Sequence, residues 1–220
     1  PGTAHRPDVR LRGLSMDTRI VLASRNAGKA REFERLFHGR FQVHALPAEV
    51  VLPEETGETF RDNALLKAEA AFAALGCRTA VLADDSGLEV RALGGRPGVQ
   101  SARYAGEHAT DHDNVSKLLR ELRGVEDRRA SFVCWLCLLL PEEGAAAPVR
   151  VEARGEAEGA IEQTARGDDG FGYDPVFRPA GWRETLAEAT PQAKDSLSHR
   201  GAAARALLVT LEERGLIGGH

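Results

Sequence analysis

The order of elements predicts an α/β fold, and three observations carry that prediction. Residues 19–24 read as a strand that passes through a glycine-containing turn into an amphipathic helix. A second strand, residues 41–46, is followed by a loop and a long helix from Phe60. Farther on, the apolar run 131–140 reads as a strand buried on both faces. The alternating segment 149–158, with Val151 and Ala153 against Glu152 and Arg154, reads as its half-exposed hairpin partner.

In chain order, Ala30, Phe33, Leu36 and Phe37 give the first helix, residues 29–37, an inward stripe. The turn before it, Arg25-Asn26-Ala27-Gly28, joins a strand to a helix N-terminus, where backbone N–H groups and the helix dipole favour an anion. Ser24, Asn26 and Lys29 add a hydroxyl, an amide and a cation. A Lys-Ser/Thr phosphate loop is excluded, because Lys29 is followed by Ala30 and the earlier required glycine is Ala23. Thr59 caps the second helix, residues 60–75, whose core stripe includes Leu65, Ala68, Phe72 and Leu75. Asn63 and Lys67 share another face.

The stretch 80–88, Ala-Val-Leu-Ala-Asp-Asp-Ser-Gly-Leu, reads as a short buried strand ending in two carboxylates, Asp84 and Asp85. Gly87 is expected to turn the chain there, placing the acids at a strand tip, where open α/β sheets bind ligands. Adjacent carboxylates repel, and a metal ion, a cationic side chain or water must hold them. Residues 94–104 form a glycine-rich shaped loop and residues 110–122 a helix with Val115, Leu118, Leu119 and Leu122 inward. Asp111-His112-Asp113-Asn114-Val115 matches a phosphotransferase box that must end a strand. Here it opens a helix and is rejected. His108 and His112 lack the glutamate of a zinc-protease helix and are read as surface residues. Around residues 170–177, glycines space the aromatic rings of Phe171 and Tyr173 beside Asp174, a pattern suited to stacking on a planar ligand. Ser198 reads as the N-cap of the last helix, with His199 and Arg200 in its first turn and Ala204, Leu207, Leu208 and Leu211 facing inward.

Bulk properties bound the function. At 220 residues the chain is long enough for one good core or two lobes sharing one. A net charge of −4 argues against nucleic acid or an anionic membrane as main partner, so any phosphate site rests on a few placed cations. Of 29 basic residues four are lysine, Lys29, Lys67, Lys117 and Lys194, and a chain that otherwise uses arginine can keep lysine where a compact ammonium is needed. Cys134 and Cys137 lie on opposite faces of one strand, which disfavours a zinc or redox pair and fits a reducing, cytoplasmic setting. No apolar run is long enough to span a membrane. Residues 1–18 are expected to form an N-terminal extension, with 1–15 disordered and outside the fold. Residues 19–217 are expected to form a single catalytic unit.

Seven motifs occur in order: Ser24-x-Asn26-x-x-Lys29, Glu54-Glu55-Thr56-Gly57, Asn63-x-x-x-Lys67-Ala68, Asp84-Asp85-Ser86-Gly87-Leu88, Gly98-x-x-Ser101-Ala102-Arg103-Tyr104, Gly170-Phe171-Gly172-Tyr173-Asp174-Pro175 and Ser198-His199-Arg200-Gly201. Together they closely resemble the inosine triphosphate pyrophosphatase family, over residues 19–214. The resemblance implies an elongated mixed sheet flanked by helices, in two lobes with the active-site cleft between them, usually as a homodimer. It implies magnesium-assisted hydrolysis of ITP, dITP or XTP to the monophosphate and pyrophosphate. Ser24, Arg25, Asn26, Ala27, Gly28 and Lys29 would bind phosphates, with Lys67 and Ser86 beside them. Glu55, Asp84 and Asp85 would hold the metal, and Asp85 resembles the general base. Phe171, Gly172, Tyr173, Asp174, Lys194, His199 and Arg200 resemble the nucleotide and base pocket. Gln192 and Ala193 depart from commonly acidic positions. Two other readings are a pyrophosphatase for modified pyrimidine nucleotides and a nucleotide sensor that does not hydrolyse, the latter opposed by the presence of Glu55, Asp84 and Asp85.

Overall fold

The computed structural model describes Leu14 and residues 18–218. Six strands form one mixed sheet: β1 (Arg19–Leu22), β2 (Gln42–Ala45), β3 (Ala80–Val90), β4 (Arg129–Leu140), β5 (Val149–Ile161) and β6 (Phe177–Pro179). The spatial order is β2-β1-β3-β4-β5-β6. β1 is parallel to β2 and β3, and the remaining neighbours are antiparallel. Five α-helices flank the sheet: α1 (Ala27–Leu36), α2 (Phe60–Ala74), α3 (Asp111–Glu121), α4 (Pro191–Leu197) and α5 (His199–Glu213).

Side-chain alternation along the long strands sorts the core. On one face, α1 and α5 cover Ile20, Leu22, Leu82, Leu136 and Leu138. On the other, Ala64, Ala68 and Phe72 of α2 cover Val21, Val81, Ala83 and Leu139. A third cluster, beyond the first on the same face, packs Leu88, Val90, Phe132 and Ile161 against α3 and the aromatic segment near Tyr173 and Phe177. Two lobes result, and β3, β4 and β5, at 11, 12 and 13 residues, run through both. Cys134 and Cys137 fall in clusters on opposite faces, as their spacing requires.

Several helix ends follow from capping chemistry. Thr59, Thr110 and Ser198 each accept an N–H from the first turn of the helix they precede. The first helix starts two residues earlier than its apolar stripe suggests, because Asn26 accepts the Lys29 N–H and acts as N-cap. The short helix α4 was not anticipated. Thr190 caps it and Pro191 occupies its first turn.

Three expectations are corrected. The Asp84-Asp85 pair does not end a strand, since β3 continues through both acids to Val90, paired with β4 throughout. What ends nearby is β1, whose pairing with β3 stops at Leu22 and Leu82. The acids therefore still lie just past the carboxyl end of the parallel strands. Gly87 makes no turn. A Cβ there would meet Ser101 Oγ, the Gly98 carbonyl and the Phe60 ring, so glycine serves close packing. Leu14, placed outside the fold on sequence, packs on the first cluster, and its N–H donates to the Leu216 carbonyl at 2.7 Å. The other residues of 1–17 lie outside the described residues.

β5 and α5 approach closely at Gly155, where a Cβ would come inside 3.0 Å of the Ala203 amide and the His199 carbonyl. Both are backbone atoms of α5, so neither yields by a rotamer change. Gly155→Ala is expected to cost about 3 kcal/mol. Urea unfolding checks this, and a loss below about 0.5 kcal/mol would mean that α5 shifts freely over the sheet.

Candidate functional site

β1 ends and its chain turns away while β3 runs on, leaving a cleft over residues 84–86 between the two lobes. Because neighbouring side chains alternate, the two acids point to opposite faces. Asp84 lies on the α1 and α5 face and Asp85 on the α2 face.

Asp84 is 2% exposed. Its Oδ2 receives Lys29 Nζ at 2.8 Å, the Ser86 hydroxyl at 3.4 Å and Arg200 Nε at 3.6 Å, the last an ion pair beyond hydrogen-bond length. None of these contacts uses Oδ1. Burial pushes the Asp84 carboxyl up, but Lys29, Arg200 and Lys67 together outweigh it and hold the group well below the ordinary carboxylate range.

On the other face, Asp85 receives Asn63 Nδ2 at 3.1 Å and Lys67 Nζ at 3.2 Å. Lys67 also reaches Glu55 Oε1 at 2.6 Å, so one ammonium bridges two carboxylates. Asn63 Oδ1 accepts the Gly57 N–H at 2.7 Å, tying the loop that carries Glu55 to α2. Burial raises the Asp85 pKa and outweighs Lys67, with Glu55 adding to the rise. Burial would lower Lys67, but Asp85, Asp84 and Glu55 prevail and raise it, so it stays an ammonium. Two adjacent aspartates thus have opposite proton affinities.

Two cavities open on this cleft. The narrower, about 440 Å³, is lined by Ser24, Arg25, Lys29, Glu55, Lys67 and Asp84, with Val51 and Leu52 at its side. The wider, about 660 Å³, is lined by Ser24, Asn26, Gly28, Lys29, Phe171, Lys194 and Arg200 together with Glu32, Arg35 and Asp195. They share Ser24 and Lys29.

In the wider cavity Phe171 is 50% exposed. Lys194 Nζ lies 4.6 Å and Arg200 Cζ 5.0 Å from its ring centroid. Its loop is pinned by Asp174, which accepts the Phe171 N–H at 2.9 Å and pairs with Lys194. Gly170, at φ +88°, is needed both for that backbone angle and because a Cβ would strike the Asp174 carboxylate. Asp111 accepts the Gly172 N–H at 2.6 Å, linking the loop to the start of α3.

Several expected residues stand behind the cavities. Ala27 belongs to the first turn of α1. Tyr173 is buried and its hydroxyl donates to the Ser101 carbonyl at 2.8 Å. His199 is buried with its ring stacked on Phe132, centroids 4.8 Å apart. Burial, then the Arg200 charge, holds its pKa well below the ordinary histidine value, so it is neutral. His199 Nδ1 and Arg200 Nε are buried without a hydrogen-bond partner among the described residues, which fits a ligand with hydrogen-bonding atoms.

Glu55, Asp84 and Asp85 do not converge. Among the described residues no three His, Cys, Asp or Glu side chains form a metal cage. The opposite facing of the aspartates and the Lys67 bridge account for this. Glu55 and Asp84, however, line one cavity with hard oxygen donors. Magnesium takes one or two carboxylates and completes its shell with phosphate and water, so this pair fits it.

Sequence reasoning missed Glu32, Arg35 and Asp195 as lining residues. Glu32 pairs with Arg200 at 3.5 Å and Arg35 with Asp195 at 3.1 Å. The signal available was spacing, since Glu32 and Arg35 follow Lys29 at steps of three along α1.

The family model of the Ham1 family matches residues 20–210. A dITP/XTP pyrophosphatase from Geobacillus kaustophilus is 49% identical over 205 residues, covering 91% of this chain and 96% of that protein. One from Prochlorococcus marinus is 46% identical over 195 residues, covering 88% and 91%. The solved Ham1 protein of Staphylococcus aureus superposes with a TM-score of 0.77 at 41% identity, covering 90% of this chain and all of that one. A HAM1 protein from Coxiella burnetii gives 0.78 at 41%, with the same coverage. With a family match over nearly all of the sheet and helices that build the cleft, the chain belongs to the Ham1 family.

Proposed function

We propose that this chain hydrolyses non-canonical purine nucleoside triphosphates, ITP, dITP and XTP, to the monophosphate and pyrophosphate. The observation that carries the reading is the pair of cavities meeting at Ser24 and Lys29. One is lined by lysines and carboxylates suited to a polyphosphate, the other by an exposed aromatic ring and arginines suited to a base. Relatives that are nearly half identical and named dITP/XTP pyrophosphatase support it. The same reading has the protein act in the cytoplasm as a homodimer. No described helix is long and apolar enough to cross a membrane.

In this mechanism Ser24, Asn26 and the amides at the start of α1 orient the phosphates, and Lys29 and Lys67 offset their charge. Glu55 and Asp84 would hold magnesium, which supplies charge stabilisation for the pyrophosphate leaving group. Asp85, with its raised proton affinity and its carboxylate fixed by Asn63 and Lys67, accepts the proton of the water that attacks the α-phosphate. Phe171 stacks on the base. The N–H groups of Arg200 donate to the purine 6-keto oxygen, and buried His199, stacked on Phe132, supports the start of α5 that carries Arg200. Adenine presents an amino donor at that position and leaves these groups unmet.

Pyrophosphate release from ITP, XTP, dUTP and ATP, with and without magnesium, tests the reading. Fast magnesium-dependent cleavage of ITP and XTP over ATP is expected, and Asp85→Asn should lower kcat by about 10² to 10⁴. Preferred cleavage of dUTP or methylated pyrimidine triphosphates would assign another substrate class. Tight ITP binding without cleavage would make the protein a sensor.

The neutrality of His199 has its own test. Below the unfolded histidine pKa, about 6.5, the unfolded chain takes up a proton that folded His199 refuses. The stability this group secures is therefore complete above about pH 6.5 and declines as pH falls toward the depressed folded value. Urea unfolding between pH 8 and 5 should show a shallower acid-side loss for His199→Gln than for wild type. Parallel profiles would mean that His199 titrates normally.

A further inference from the structure

The wider cavity contains an ion pair that the mechanism above does not use. Arg35, on the third turn of α1, donates Nε to Asp195 Oδ2 at 3.1 Å and Nη2 to Asp195 Oδ1 at 3.4 Å. Asp195 belongs to α4, directly after Lys194, and both partners line the cavity with Phe171 and Arg200. The N-cap Asn26 and, from α1, Gly28, Lys29, Glu32 and Arg35 line the cavity in turn. Nine residues at the helical rise put Arg35 roughly 13 Å beyond the N-cap that faces the phosphates, a distance that reaches the base. Glu32 is already engaged by Arg200.

The chemistry of the three competing purines differs at one ring position. Hypoxanthine has only hydrogen at C2, xanthine has a keto acceptor and guanine an amino donor. Arginine has five N–H donors, and the fork to Asp195 uses two of its N–H directions, leaving others for a ligand acceptor. A carboxylate accepts only, and here each oxygen of Asp195 already takes one N–H of the Arg35 fork. The side chains are 54% and 23% exposed, so the pair can adjust to a ligand at little cost.

We propose that Arg35 reads the purine 2-position. Its guanidinium donates to the second keto oxygen of xanthine and, by holding Asp195 in its fork, competes with guanine's 2-amino group for that acceptor. This rests on the purine triphosphate reading above and adds a residue that separates XTP from GTP.

The test compares kcat/KM for XTP, ITP and GTP in wild type, Arg35→Ala, Arg35→Lys and the double variant Arg35→Ala with Asp195→Ala. Arg35→Ala should lower the XTP to ITP ratio about tenfold, chiefly through KM, the loss of one charge-assisted hydrogen bond. It should also raise the GTP to ITP ratio several-fold, and the double variant should abolish that rise. Arg35→Lys, which keeps a cationic donor, should recover part of the XTP ratio. Ratios within twofold of wild type in Arg35→Ala, or a proportionate fall for all three substrates, would overturn the proposal. If wild type cleaves none of these triphosphates, the hydrolase reading fails separately. The XMP to IMP affinity ratio, measured by titration calorimetry, then decides: a fall in Arg35→Ala supports the proposal, and no change overturns it.

Discussion

The buried charge of Asp84 is the constraint around which the cleft is arranged. An isolated carboxylate at 2% exposure would cost several kcal/mol or take up a proton. Lys29 from α1 and Arg200 from α5 keep it ionised, and in doing so they fix two helices to the central strand at one point. Arg200 needs the same arrangement, since it is 6% exposed and its other partner is Glu32 of α1. Removing any one of these charges leaves the others buried and unbalanced. Position and protonation state are thus set by the same contacts.

Across the sheet the same logic has the opposite outcome. Asp85 shares one ammonium with Glu55, so its own compensation is incomplete and burial prevails. A carboxylate held down and a carboxylate pushed up, adjacent in sequence and separated by a sheet, form a pair whose environments drive their proton affinities apart. Strand alternation is what makes this possible, because it gives neighbours different surroundings.

Much of this was legible in the sequence where the determining physics is local. The caps Thr59, Thr110 and Ser198, the stripe Ala30, Phe33, Leu36 and Phe37, and the opposite facing of Cys134 and Cys137 follow from short-range periodicity and hydrogen bonding. The seven motifs identified the segments that line the cleft, but not which side chains within them face it. Tyr173 and His199 are turned into the core by partners, Ser101 and Phe132, that are distant in sequence. The extent of β3 was hidden for a similar reason: Asp-Asp-Ser-Gly has turn chemistry, and only the full-length antiparallel partner β4 makes it a strand. Gly155 and the Arg35–Asp195 pair likewise depend on contacts between elements that no local pattern encodes.

The continuity of β3, β4 and β5 across both lobes has a mechanical consequence. Proteins that close around a ligand by a hinge concentrate rotation in a few backbone torsions of a linker. Here the lobes share hydrogen-bonded strands paired residue by residue through the cleft. Relative movement must be absorbed as a change in sheet twist distributed over many residues, which is stiff and small in amplitude. The cleft is accordingly a frame of nearly fixed span, and the adaptation to different nucleotides falls to the segments seated on it, residues 52–57 and 168–174.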